Sequence, residues 1–168
     1  MPIADYVFLT EDPSHDCVID IINEEAFGPG RFARAAERVR EQGPHERALS
    51  FVCTDRGEVV GSVRMTPVLA GPVAAHLLGP LAVRPNHKNL GIGRELLRIA
   101  VEAARRAGSE AVVLVGDPPY YGPLGFTAVA YGRLVFPGPV DPRRVLASVF
   151  SDGVMERLAG PLRHRALG

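Results

Sequence analysis

Tryptophan is absent from this chain, cysteine occurs twice, and lysine occurs once: Lys88 stands alone among nineteen basic residues, the rest being arginine. Cys17 and Cys53 are too few for a disulfide scaffold and too far apart for a metal knuckle. Both are therefore read as buried small hydrophobes in a reducing compartment, and no metal is expected. Excess charge of either sign is also missing, because nineteen acidic residues cancel the basic ones. Without a global field, neither nucleic acid nor an anionic membrane is an expected partner, and any bound anion must be met by local donors. No apolar run approaches the ~20 residues needed to cross a bilayer. The amino terminus has no basic start and turns acidic at Asp5, unlike a signal peptide, so a cytoplasmic protein is expected.

What is present is the composition of a globular protein, 46% hydrophobic and 23% charged. A chain of 168 residues fits one domain spanning residues 1–168, with a core that buries roughly 70% of the unfolded surface. Residues 3–9 read as a strand, and Ser14 is placed as the N-cap of a first helix carrying Val18, Ile21, Ile22 and Ala26 up to Gly28. Phe32, Ala35, Ala36 and Val39 set a second helix with a charged solvent face, ending at Gly43. Residues 48–54, 58–70 and 73–83 then read as three antiparallel strands, the first two joined at Asp55-Arg56-Gly57. Gly79-Pro80 interrupts the third, which predicts a bulge there.

The strongest helix pattern covers residues 91–107, with Ile92, Leu96, Ile99, Ala100 and Ala103 on one stripe and Gly108 as the stop. Residues 111–115 form a short apolar strand of the kind buried on both faces. Strand, helix and strand at this spacing make a crossover, so strands 73–83 and 111–115 should be parallel neighbours. Residues 118–124 can hold only turns or a short helix, and 126–136 with 144–150 read as a closing pair of strands. The tail is expected to add a turn from Met155 and to fray from Arg163.

Two segments carry chemistry. At the start of the long helix, Gly91 and Gly93 let the backbone approach a ligand, where uncapped N–H groups and the positive end of the helix dipole favour an anion. The dinucleotide fingerprint is not met, since Leu96 stands where a third glycine would be needed, and no Gly-Lys-Ser or Gly-Lys-Thr exists for a P-loop. The second segment runs from Gly116 to Phe126, directly after the short strand, at the carboxyl end where open α/β sheets place ligands. Its adjacent tyrosines, Tyr120 and Tyr121, sit among Pro and Gly, where a phenol can donate a proton or simply cap the edge of the core.

Together the runs Leu78–Leu97, containing Lys88-Asn89-Leu90-Gly91-Ile92-Gly93, and Tyr121-Gly122-Pro123-Leu124-Gly125-Phe126 resemble the acyl-CoA motif and the Tyr-x-x-x-Gly-Phe segment of the GNAT N-acetyltransferase superfamily. Gly116-Asp117-Pro118-Pro119-Tyr120-Tyr121 is further similar to one bacterial branch of predicted N-acetyltransferases. The resemblance implies a mixed α/β fold with one twisted, mostly antiparallel sheet of about seven strands, a central splayed parallel pair and about four helices. It implies acetyl-CoA as the thioester donor and a primary amine of a small molecule or peptide as acceptor. Leu81, Ala82 and Val83 would then pair with pantetheine, with the Leu81 N–H as oxyanion donor. Lys88, Asn89, Leu90, Gly91, Ile92, Gly93 and Arg94 would hold the pyrophosphate, and Tyr121 would contact the thioester and protonate the leaving thiolate. Lys88 departs from the usual Gln or Arg, keeping the charge and losing the planar fork.

No residue declares itself as general base. His76, Glu24, Glu25, His45 and Glu46 border the region, each also readable as a structural polar residue, while His15, His87 and His164 are assigned to the surface. Homodimers are common in the superfamily, and a non-catalytic acyl-CoA-binding regulatory module is the alternative to an enzyme.

Overall fold

The computed structural model describes residues 6–167; the first part of the strand expected over residues 3–9 lies outside them. In chain order the elements are β1 (Val7–Thr10), α1 (Asp16–Phe27), α2 (Ala35–Arg40), β2 (Phe51–Asp55), β3 (Glu58–Ala70) and β4 (Val73–Val83). Then follow α3 (Ile92–Arg106), β5 (Ala111–Val115), α4 (Pro118–Tyr121), β6 (Thr127–Ala128), β7 (Leu134–Val135), β8 (Val145–Val149), α5 (Val154–Arg157) and β9 (Gly160–His164). The sheet runs β1-β2-β3-β4-β5-β8-β6, with β9 pairing the far end of β3 and β7 pairing β9. Among the described residues there are nine strands where about seven are expected, and α4 and α5, four residues each, bring the helices to five.

Alternation along β5 divides the core. Ala111 and Val113 face the side covered by α2, whereas Val112 and Leu114 face α3. Helix α1 lies on the α2 side, where Ile19 and Ile22 pack on Val52, Val59 and Ala82. Helix α3 buries Ile92, Leu96, Leu97, Ala100 and Ala104, the larger side chains contributing roughly 1.5–3 kcal/mol each. Its close seat depends on Gly61 of β3, where an added Cβ would stand 3.2 Å from both Ile92 Cγ2 and Leu96 Cδ1.

Strands β4 and β5 are parallel, but their ladder consists only of His76 opposite Val112 and Leu77 opposite Val113. Beyond those pairs the two strands part. On its other edge β4 follows β3 throughout, and the register slips by one residue between Leu78 and Leu81, which places the expected bulge at Gly79-Pro80.

Several expectations are corrected. Asp12, not Ser14, caps the entry to the first helices: its side chain accepts from the Ser14 N–H at 2.8 Å. Phe32 belongs to a 3-10 turn and is exposed, so α2 begins only at Ala35. Residues 126–136 are not one strand: β6 pairs with β8, and β7 pairs in parallel with β9. The tail does not fray at Arg163, because β9 hydrogen-bonds along Val68–Ala70 of β3 and buries His164. Ala166 N–H donates to His164 Nδ1 at 2.9 Å, so Nε2 carries the proton given to the Pro44 carbonyl at 2.8 Å. Gly43 leaves room for that ring, since a Cβ there would lie 2.5 Å from Cε1. Cys53 is buried as expected, while Cys17 is exposed.

Candidate active site

Where β4 and β5 part, two cavities open and meet. The first, about 610 Å3, lies between the end of β4 and the start of α3 and is lined by Leu81, Ala82, Val83, Lys88, Asn89, Gly91, Ile92, Gly93 and Arg94. The second, about 630 Å3, lies under α1 and α2 against the bulge of β4 and the end of β5. Phe27, Leu81, Tyr120 and Tyr121 line both.

The first cavity is built from main chain. Asn89 (φ +64°) and Gly91 (φ +89°) turn the chain into α3 through left-handed conformations that Asn tolerates and glycine favours. No side chain caps the helix, and the first intrahelical bond is Glu95 N–H to the Gly91 carbonyl at 3.0 Å. The amides of Ile92, Gly93 and Arg94 are therefore left for a ligand. Gly93 keeps the cavity open: a Cβ there would stand 3.6 Å from the Tyr120 hydroxyl and 3.7 Å from Val83 Cγ2. Lys88 is exposed beside this turn, and Leu90 packs into the core instead of lining the cavity.

The backbone of β4 adds two more donor and acceptor pairs. Arg84 N–H donates to the Val60 carbonyl at 2.8 Å, so Arg84 and Val60 form a bonded pair of the antiparallel ladder. Bonded pairs alternate, which makes Ala82 opposite Ser62 the next one and turns the N–H and C=O of Leu81 and Val83 away from β3, toward the gap beside β5. Leu81 and Val83 thus present peptide groups to the cavity, while those of Ala82 belong to the β3 ladder.

Tyr121 stands at the junction. Pro118 and Pro119 open α4, and the Tyr120 and Tyr121 N–H groups donate to the Asp117 carbonyl at 3.0 and 3.1 Å. The Tyr121 ring meets Tyr120 and Phe126 edge-on, with centroids 4.8 and 5.9 Å away. Gly125, at φ +95°, reverses the chain so that Phe126 can bury beneath it. Gly116 is the unforeseen partner: a Cβ on it would lie 2.3 Å from Tyr121 Cε2. Burial, aided by the neighbouring Tyr120 phenol and the Asp117 carboxylate, pushes the Tyr121 phenol up to about 12, so it stays protonated across the neutral range. Tyr120 is half-exposed, and its hydroxyl points along the α3 start, toward the first cavity.

The second cavity is built from side chains of separate segments. Of the five candidate bases only His45 lines it. His76 is buried between Ser109 Oγ and Glu46 Oε1, both at 2.9 Å, and burial lowers its pKa; Glu46 is thereby occupied too. Glu24 pairs with Arg31, and Glu25 with Arg84 at 3.4 Å. His45 Nε2 lies 3.1 Å from Glu11 Oε1, close enough for an ion pair though off the axis of a hydrogen bond. Glu11 is fully buried and also meets Arg47 at 2.8 Å and Arg64 at 3.1 Å. Burial alone would raise its carboxyl, but His45 and Arg64 outweigh that and hold it below the ordinary range. Arg40 of α2 turns into this cavity and not to solvent, and Arg144 joins its rim at 3.4 Å from Asp117. Glu11 and Arg40 carry no motif; only their placement reveals them.

The chain is similar to known proteins in sequence and in fold. The model of the acetyltransferase (GNAT) family matches residues 16–126. The Escherichia coli N-acetyltransferase YjhQ is 29% identical over 144 residues, 83% of this chain and 78% of that protein. The Escherichia coli N-acetyltransferase YhbS is 31% identical over 119 residues, 69% and 70% of the two chains. A crystal structure of YhbS in complex with CoA superimposes with a TM-score of 0.78 at 25% identity, covering 96% of this chain and 90% of that one. A Brucella melitensis GNAT-family acetyltransferase crystallised with acetyl-CoA gives a TM-score of 0.61 at 28% identity, covering 88% and 96%.

Proposed function

This chain belongs to the GNAT acetyltransferase family, and from that premise we propose that residues 1–168 form one domain moving acetyl from acetyl-CoA directly to a primary amine of a small molecule or peptide. The observation that carries this reading is the meeting of a main-chain-lined cavity and a side-chain-lined cavity at Leu81 and Tyr121. Relatives crystallised with CoA and acetyl-CoA support the donor.

In this reading the amides of Ile92, Gly93 and Arg94, with Lys88 beside them, hold the pyrophosphate of the donor, and the outward peptide groups of Leu81 and Val83 align its pantetheine arm. The Leu81 N–H faces the thioester carbonyl and stabilises negative charge as it develops on that oxygen. An amine with a pKa near ~10 arrives protonated and must lose a proton before attack. His45 takes it: with Nε2 toward Glu11, Nδ1 is the nitrogen left to accept, directly or through a water. The amine nitrogen then bonds to the carbonyl carbon, the carbon–sulfur bond breaks with its electron pair leaving on sulfur, Tyr121 gives its phenolic proton to that thiolate, and the nitrogen releases its second proton to solvent as the amide forms. Solvent restores the phenol.

Calorimetric titration with acetyl-CoA, followed by a panel of amines scored by release of free CoA thiol, tests the assignment. Saturable donor binding and amine-dependent thiol release are expected. Binding without release on any amine would favour the non-catalytic module, and absence of binding would overturn the reading.

A further inference from the structure

We infer that the acceptor is an amine that also carries an oxyanion, a carboxylate or a phosphate, held between Arg34 and Arg40 in the second cavity; this rests on reading that cavity as the acceptor site. The arginines that line it differ in how they are neutralised. Arg64 is shared by Glu11 and Asp16, with Asp16 at 2.8 Å, and Arg144 is met by Asp117. Arg34 and Arg40 have one carboxylate between them. Arg40 Nη1 donates to Glu37 at 3.2 Å, and its Nε is closed off from solvent without a partner. Arg34 lies 4.8 Å from the centroid of the Phe27 ring and meets no carboxylate among the described residues. Burial lowers the Arg40 pKa, Glu37 offsets part of that, and the positive charge of Arg34 adds a smaller push in the direction of burial. Like charges sharing a partly dewatered wall are costly until an anion arrives, and the planar fork of arginine suits a carboxylate or phosphate.

Position fits the chemistry. The point a Cβ on Gly79 would occupy is 2.6 Å from Arg40 Nη2 and 4.0 Å from Leu81 N. Glycine at the bulge lets the guanidinium reach the edge of the acyl-transfer point, so the anion of a bound acceptor would lie only a few bonds from its amine.

The test uses the full chain saturated with CoA and three matched probes, 3-aminopropanol, β-alanine and phosphoethanolamine, titrated by calorimetry up to tens of millimolar. At least one anionic probe should bind roughly tenfold more tightly than the alcohol, and the stronger of the two identifies carboxylate or phosphate. The preference should collapse toward unity in Arg34→Gln and in Arg34→Gln/Arg40→Gln, with acetyl-CoA affinity retained; the exposed Arg34 single variant guards against misfolding of the double. Equal or undetectable binding of all three probes, a preference that survives in both variants, or competition of the anionic probes with CoA would overturn the anion assignment alone. Failure of the wild type to bind acetyl-CoA would instead overturn the acetyl-transfer reading beneath it.

Discussion

The two cavities that meet at Tyr121 are made by different means. The one beside α3 draws most of its lining from a single stretch, Leu81 to Arg94, and offers peptide groups whose direction follows from ladder alternation and a helix start. The one under α2 gathers Asn23, Arg34, Arg40, His45, Arg64 and Tyr121 from distant parts of the chain and offers side chains held by one another. Main-chain sites of the first kind tolerate changes of side chain as long as the backbone keeps its course. Sites of the second kind can change specificity without touching the first, which is how one fold can keep a donor while varying an acceptor.

If this contrast is right, substitutions should sort by cavity. The largest effect is expected at the junction: Tyr121→Phe keeps the ring packed on Phe126 and beside Gly116 but removes the proton, and kcat should fall about 10²- to 10⁴-fold with acetyl-CoA affinity nearly unchanged in calorimetry. Normal turnover would show that Tyr121 is not the acid. Next comes the prop of the side-chain cavity. Glu11→Ala leaves Arg47 and Arg64 short of a buried partner and should cost about 3 kcal/mol in denaturant unfolding. The sign with pH follows from the lowered folded pKa of Glu11: its contribution is fully present above the ordinary value of 4.5 and is lost as pH falls toward the folded value. The acid limb of the stability profile should therefore flatten in the variant, and an unchanged limb would place the acid sensitivity elsewhere. The smallest effect is expected in the main-chain cavity. Lys88→Ala removes an exposed charge and should weaken acetyl-CoA roughly threefold, and less at high salt. A hundredfold loss would mean that a side chain, not the backbone, carries that site.

The same contrast explains what could be read in advance. The amphipathic stripe of α3, the stop at Gly108, the crossover that makes β4 and β5 parallel and the bulge at Gly79-Pro80 are all local patterns, and all are found in place. Strands β6 and β7 are two residues each, too short for an alternation to register, and β9 is a strand only because the end of β3 offers it an edge. His164 reads as a polar tail residue until the loop at Gly43 and Pro44 closes around it. Gly116 looks like one more turn glycine, and only the Tyr121 ring above it shows why a side chain cannot stand there.

From the order of residues alone come the helix start that presents free amides and the phenol on its rigid turn, because glycine conformations, caps and hydrophobic period act over a few neighbouring residues. The inward turn of Arg40, the buried Glu11 beside His45 and the shortage of carboxylates around Arg34 arise only when α1 and α2 settle on the sheet. Burial and charge pairing depend on which distant groups become neighbours, and no local pattern encodes that.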